Sequence, residues 1–365
     1  MAAPKGNKVR VGVIFGGRST EHEVSLASAR AIMDNLDHGR YEVLPLFVTQ
    51  TGRWLLMLDA RGVPEQGREV HFSLEPGKNS LLIANGGDTV SVDVLIPMIH
   101  GTYGEDGTLQ GLLELLEIPF VGSGCLSSAV SMNKGATKAI LRAGGLPVLP
   151  SLTISREEWG FNKSSILKDS EANFDFPLFV KPTSLGSSVG IHRIVEASNL
   201  EKAIEDALSY DFKVLIEEEA RGREFECAVL EDPGGRRPLA SPLAEIKPKE
   251  GWYDYKAKYT PGFTDIIIPA ELDGVVVNQM QTHARAAFSA LDCSGLARVD
   301  FFYRETRGEI YINEVNTLPG FTELSGYPKM IESAGISYSS MLDRLIACAF
   351  FRHARSRELT VRRAD

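Results

Sequence analysis

LARVDFFYRETRGEIYINEVN, Leu296 to Asn316, is the stretch on which the reading of this chain turns. Successive strand side chains point to opposite faces, so Leu296, Arg298, Asp300 and Phe302 share one face of the first half. RETRGE reads as a turn. In the second half Ile310, Ile312, Glu314 and Asn316 are expected on one side, with Tyr311, Asn313 and Val315 on the other. The pattern predicts an antiparallel hairpin. A turn centred on Arg307 sets Asp300 opposite Glu314 and Arg298 opposite Asn316, and any register of the same parity keeps these four on one surface. Two carboxylates and an amide oxygen suit a hard cation such as Mg²⁺. A solvated strand end, or an ion-pair network centred on Arg298, would use the same residues.

Upstream, KPTSLGSSVG (Lys181 to Gly190) follows an apolar strand and combines a lysine, glycines and serines in one loop. Backbone N–H groups and hydroxyls in such a loop can approach a triphosphate closely, although an ordinary hairpin turn has the same composition. Neither G-x-x-x-x-G-K-[ST] nor G-x-G-x-x-G occurs. Lys134, heading a helix from about Asn133 to Ala143, offers a second cation for phosphate or a solvated surface charge. Glu217 to Glu219 close the strand KVLIEE, as simple exposure or as acceptors for an adenine amino group or a ribose.

The N-terminal part alternates differently. Val9 to Phe15 is a β-branched run ending at Gly16-Gly17, followed by apolar residues at helical spacing. Strands are expected at Tyr41 to Thr49, at Val92 to Ile99 and briefly around PFVG, which makes an open α/β layer with functional loops at the strands' carboxyl ends. A boundary follows Gly124, and Arg221 to Leu230 and Pro242 to Ile246 read as strands of a third unit. Lys247 to Pro269 is a long polar and aromatic stretch, of the length used for lids, binding loops or disorder.

At 365 residues the chain is too long for one core and predicts two or three domains. A net charge of −9 argues against a nucleic-acid partner, and the basic tail Arg352 to Arg362 reads as a solvated helix end. Cys125, Cys227, Cys293 and Cys348 are scattered, with no C-x-x-C pair, so neither a zinc site nor a disulfide framework is expected. No run is long enough for a signal core or a membrane span. The expectation is a cytoplasmic protein without a membrane partner.

Taken in order, GGRSTEHEVS, HGTYGEDGTLQG, KPTSLGSSVG, YDYKAKY, ARVDFF and INEVNTLPGFTELS resemble the ATP-grasp superfamily and, within it, the D-alanine–D-alanine ligases. The likeness runs from about Val9 to Leu345. It implies an α/β and α+β, three-domain ATP-grasp architecture: an N-terminal open α/β substrate domain over 1–123, a central domain over 124–217, and a C-terminal domain over 218–365 with the metal ligands and a lid. It also implies ATP held by Lys134, Lys181, Ser188 and Lys258, with Glu217, Glu218, Ala220 and Glu224 around adenine and ribose. Asp300, Glu314 and Asn316 match the ligands of two Mg²⁺ ions, for which Mn²⁺ can substitute. Glu21 matches the binder of the first D-alanine's ammonium, linked through Ser187 to Tyr259 on the closing loop. Arg298 and the N–H of Gly320 match the oxyanion donors, Ser325 the binder of the second carboxylate, and His100 a neighbour in the same cleft. Relatives are commonly homodimers.

Where some relatives carry lysine and leucine, this chain has Glu218 and Ala220, and the insert Arg61 to Gly87 has no counterpart in the shortest relatives. The resemblance leaves D-Ala–D-Ser and D-Ala–D-lactate ligases, other ATP-grasp carboxylate–amine ligases and a regulator without catalysis as alternatives. Tyr259 argues against lactate, since similar lactate-using enzymes carry phenylalanine there or rebuild the loop.

Overall fold

The first apolar run forms β1 (Val9–Gly16), and Val11, Val13 and Ile14 are fully buried in a computed structural model that describes residues 8–58, 66–84, 86–186, 189–249 and 263–359. Gly16 and Gly17 follow with φ of +91° and +93°, and a Cβ on Gly16 would lie 2.3 Å from the Val48 carbonyl oxygen. Only glycine turns the chain there, into α1 (His22–Asn35). The sheet continues through β2 (Tyr41–Val48), β3 (Trp54–Leu56), β4 (Arg68–Phe72), β5 (Ser80–Ile83), β6 (Thr89–Ser91) and β7 (Val94–Pro97). Its order is β6-β5-β4-β3-β2-β1-β7, with β1 parallel to both β2 and β7. Because β2 and β7 flank β1 on opposite sides, the loops leaving the carboxyl ends of β1 and β7 border a crevice, the usual ligand position in open α/β sheets. Part of the insert 61–87 is antiparallel ribbon that widens this sheet away from the crevice.

The strand expected around PFVG shrinks to a single bridge between Phe120 and Leu95. The tail covers the outer edge of this short segment. Arg352, expected to be solvated, instead donates to the carbonyls of Phe120 and Gly122 and lies over the Phe120 ring at 4.4 Å. A guanidinium occupies the acceptors a further strand would need, and burial lowers its pKa.

After α2 (Thr108–Leu115) come α3 (Cys125–Met132) and α4 (Lys134–Ala143), the latter capped by Asn133, whose side chain accepts the Ala136 N–H. The second sheet comprises β8 (Ser151–Ser155), β9 (Leu178–Pro182), β10 (His192–Ile194) and β11 (Lys213–Glu218) in the antiparallel order β10-β9-β11-β8. Leu178, Val180, Val214 and Ile216 pack on α5 (Arg156–Asn173) and α6 (Leu200–Tyr210). Strand alternation therefore turns Phe179, Lys181 and Glu217 the other way, toward a cleft.

The third sheet contains β12 (Arg223–Leu230), β13 (Leu239–Ala240), β14 (Ala244–Pro248), β15 (Thr264–Ile267), β16 (Leu296–Arg304) and β17 (Glu309–Asn316). Its order is β15-β14-β12-β16-β17, antiparallel, with β13 beside β12. One face carries Phe225, Cys227, Val299 and Phe301 against α7 (Gly274–Ala290). The stretch expected as one loop from Lys247 to Pro269 has strand at both ends, since Pro248 pairs with Thr264; Lys258 and Tyr259 lie outside the described residues. The chain then forms α8 (Gly326–Ser333) and α9 (Tyr338–Ser356), and α9 packs Leu342 and Leu345 into the core that holds Met33, Tyr41 and Val94 of the first sheet. No described helix is long and apolar enough to cross a membrane.

The hairpin departs from the expected parity at one point. Arg298 pairs with Asn316 and Asp300 with Glu314, but Phe301 pairs with Ile312, so Asn313 is an extra residue in a β-bulge. Ile310 and Ile312 consequently do not share a face with Glu314 and Asn316. They sit with Val315 in the core under α7, while Glu314 and Asn316 face the cleft. The bulge resolves a conflict between apolar and polar residues that strict alternation would have put on one face.

Candidate active site

A cleft of about 1030 Å³ opens where the three sheets meet. Its inner end is the crevice of the first sheet. Glu21, at the start of α1, is nearly buried there, and Gly101, with φ of +73°, lies so close that a Cβ would stand 2.6 Å from Glu21 Oε2. His100 follows β7. Its Nδ1 lies 3.2 Å from both Glu105 Oε1 and the Leu318 carbonyl, and its Nε2 lies 3.0 Å from Ser28 Oγ. Two acceptors at Nδ1 put the proton there, which leaves Nε2 to accept from the Ser28 hydroxyl. Ser28 Oγ in turn accepts the Phe321 N–H at 3.2 Å. The loop carrying Gly320 is thereby held on both sides, at Leu318 and Phe321. Burial raises the Glu105 pKa, against the opposing effect of the His100 bond.

Helix α4 and the second sheet together supply a wall of lysines. Lys134 Nζ donates to the Leu185 carbonyl at 2.7 Å, which ties α4 to the glycine-rich loop. Lys181 pairs with Glu217 Oε1, and Lys138 lies 2.9 Å from Glu217 Oε2. Glu217 is 1% exposed and Lys138 2%. Burial pushes the Glu217 carboxyl up, but the charges of Lys138 and Lys181 outweigh it and hold the pKa at about 2. Glu218, Ala220 and Glu224 line the cleft beside this wall. Ser187 and Ser188 lie outside the described residues.

The third sheet supplies the opposite wall. Arg298 grips Asp300 with two bonds, Nε to Oδ1 and Nη2 to Oδ2, both 2.7 Å. Asn316 Nδ2 adds a third contact to Asp300 Oδ2 at 3.0 Å, and Glu226 Oε1 approaches Arg298 Nε at 3.3 Å. Among the described residues no three His, Cys, Asp or Glu side chains form a metal-holding group. A cation site here would thus consist of the carboxylates of Asp300 and Glu314 with the amide of Asn316, an all-oxygen donor set open to the cleft, which fits a hard divalent cation. Above it Ser325 Oγ accepts the Thr322 N–H at 3.0 Å and shapes the loop holding Gly320.

The expected residues within the described part of the chain therefore gather in one cleft from three sheets. Others join them that sequence reading passed over. Lys138 stands one helical turn after Lys134, and Glu226 two strand positions after Glu224, so periodicity carried a signal for both. Glu105 lies within the HGTYGEDG string itself.

Family models described as D-ala D-ala ligase N-terminus and D-ala D-ala ligase C-terminus match residues 10–123 and 140–347. Among curated proteins the chain is 44% identical to the D-alanine--D-alanine ligase of Shouchella clausii, over 96% of this chain and 97% of the relative. It is 41% identical to that of Geobacillus thermodenitrificans, over 97% and 98%. Among solved structures it resembles the VanG D-Ala:D-Ser ligase of Enterococcus faecalis, with a TM-score of 0.85 at 38% identity, covering 94% of this chain and 100% of that one. The D-alanine-D-alanine ligase of Coxiella burnetii gives a TM-score of 0.84 at 36% identity, covering 96% of each. Matched in both halves and over nearly its whole length, the chain belongs to the D-alanine–D-alanine ligase family.

Proposed function

We propose that this chain joins two molecules of D-alanine into a dipeptide at the expense of ATP, for peptidoglycan synthesis. The observation that carries the reading is the meeting, in one cleft, of a lysine wall, a carboxylate–amide wall and the Glu21 crevice. A carboxylate is a poor acyl donor. Its oxygen attacks the γ-phosphorus of ATP, the bond to ADP breaks, and an acyl phosphate results. Lys134 and Lys181 are assigned to neutralising the phosphate charge, and their places along the cleft support this. For Lys181 this means exchanging Glu217 for phosphate or serving both, and Lys138 keeps Glu217 paired in either case.

The amine of the second D-alanine then attacks the carbonyl carbon, loses a proton, and phosphate departs. Arg298 and the Gly320 N–H are assigned to the negative oxygen of that tetrahedral species. Their fixed settings support the assignment, because a donor ordered in advance costs no reorganisation during reaction. Glu21 is assigned to the first ammonium and Ser325 to the second carboxylate. Asp300, Glu314 and Asn316 are assigned to divalent cations, two in number by family likeness. Mg²⁺ or Mn²⁺ bound there supplies neutralisation of charge on the phosphate oxygens. Lys258 and Tyr259 keep their roles in a closing loop, and Ser187 its link to Glu21, as parts of the same reading. A cytoplasmic homodimer is the assembly it implies.

A second reading, ligation of D-serine as the second substrate, is favoured by the likeness to the D-Ala:D-Ser ligase. Phosphate release with ATP, Mg²⁺ and D-alanine, compared with D-alanine plus D-serine and with L-alanine, tests both. The proposal expects turnover with D-alanine alone and none with L-alanine. Release that needs D-serine favours the second reading, and no release with any of them overturns both.

A further inference from the structure

Arg298 and Asn316 together leave Asp300 little room to serve a cation. An ionised carboxylate has about four lone-pair positions. Two are taken by the paired Arg298 bonds and a third by Asn316 Nδ2. One position remains, so a cation that takes more of Asp300 than that, or that repels the adjacent guanidinium, competes with Arg298, and that guanidinium is assigned to the reacting oxyanion. Release of Arg298 without another anchor would lose the donor's position.

One such anchor lies on the adjacent strand. Glu226 is the cross-strand partner of Asp300, is 4% exposed, and brings Oε1 within 3.3 Å of Arg298 Nε. Its other oxygen rests against Gly326, the first residue of α8, where a Cβ would come within 2.8 Å of Oε2. The missing side chain at Gly326 leaves room for the carboxylate beneath the loop that carries Gly320 and Ser325. Arg298 thus has carboxylates of two kinds: Asp300, which the cation also needs, and Glu226, set back in the sheet.

We propose that Glu226 is a positioning residue that holds the Arg298 guanidinium when Asp300 turns to a divalent cation, so that one charge serves the oxyanion while the other carboxylate serves the metal. This rests on the assignment of Asp300, Glu314 and Asn316 given above. It predicts that Glu226→Gln shifts Arg298 toward Asp300 and so weakens the cation site.

The test is Mn²⁺ binding, followed by electron paramagnetic resonance with ADP present, in the full chain, the Glu226→Gln and Arg298→Ala variants and the double variant. The expected result is a loss of about 10-fold in Mn²⁺ affinity on Glu226→Gln, as for other partners that orient metal ligands, and little further loss when the same change is made in the Arg298→Ala background. Equal losses in both backgrounds would mean that Glu226 acts as a bare charge, and no loss would mean that it does not act on the site; either overturns the proposal. Should Glu226→Gln fail to fold, Gly326→Ala keeps the carboxylate but pushes on Oε2, and a fall in Mn²⁺ affinity is again expected, with unchanged affinity overturning the idea. If the unmodified chain binds no Mn²⁺ with ADP, the cation site fails and the proposal with it, a result distinct from either failure at Glu226.

Discussion

The two walls of the cleft are electrostatic mirror images. On the second sheet one buried carboxylate, Glu217, lies between two ammoniums, Lys138 and Lys181. On the third sheet one guanidinium, Arg298, lies between two carboxylates, Asp300 and Glu226. Each of these three-residue clusters keeps an excess of one sign and uses its minority charge to hold the majority in place. The difference is in what each can take from solution: a surplus of ammonium can meet phosphate oxygens directly, while a surplus of carboxylate needs a cation first. Burial enforces the arrangement, because a charge left unpaired at such depth costs several kcal/mol.

The largest effect is expected from breaking the buried lysine wall. Glu217→Ala leaves Lys138 buried without its carboxylate and should lower folding stability by about 3–5 kcal/mol in denaturant unfolding. The same carboxylate gives the comparison a pH signature. Its folded pKa lies below the ordinary 4.5, at about 2, so its contribution is complete above pH 4.5 and is lost as the pH falls toward about 2. The unmodified chain should lose stability through that window, and Glu217→Gln should flatten the loss.

Breaking the other wall should act on chemistry first. Arg298→Ala is expected to slow turnover by about 10²–10³-fold, the usual cost of one oxyanion donor. Because it also leaves Asp300 and Glu226 facing one another across the strands, added Mg²⁺ should raise its thermal midpoint by more than it raises that of the unmodified chain. Equal increments would argue against cation binding at Asp300. The smallest change belongs to Lys134, whose ammonium bonds a backbone carbonyl. Lys134→Ala should cost only about 0.5–1.5 kcal/mol of stability, and its main effect should appear as weaker ATP binding in calorimetry.

Local pattern carried much of this. The glycine pair after β1, the helix starting at Asn133 and the opposition of Asp300 to Glu314 all follow from spacing and turn chemistry. The hairpin register nonetheless held at the site for a reason that alternation does not contain. Near the turn the pairing is offset by one residue, and the bulge at Asn313 restores the expected partners at Asp300 and Arg298. Ile310, Ile312 and Val315 could have signalled the switch, since their apolar parity breaks between Ile312 and Val315. Arg352 offered no such clue, because a basic residue in a basic tail looks solvated until the Phe120 and Gly122 carbonyls are found beside it.

What the sequence determined by itself was the set of elements and the chemical types at their ends, because hydrophobic period, capping and glycine turns act over a few residues. Only the tertiary structure decided which charges are paired, since Glu226, Lys138 and Arg352 take their partners from other segments, and whether a charge is solvated or caged depends on what is packed against it.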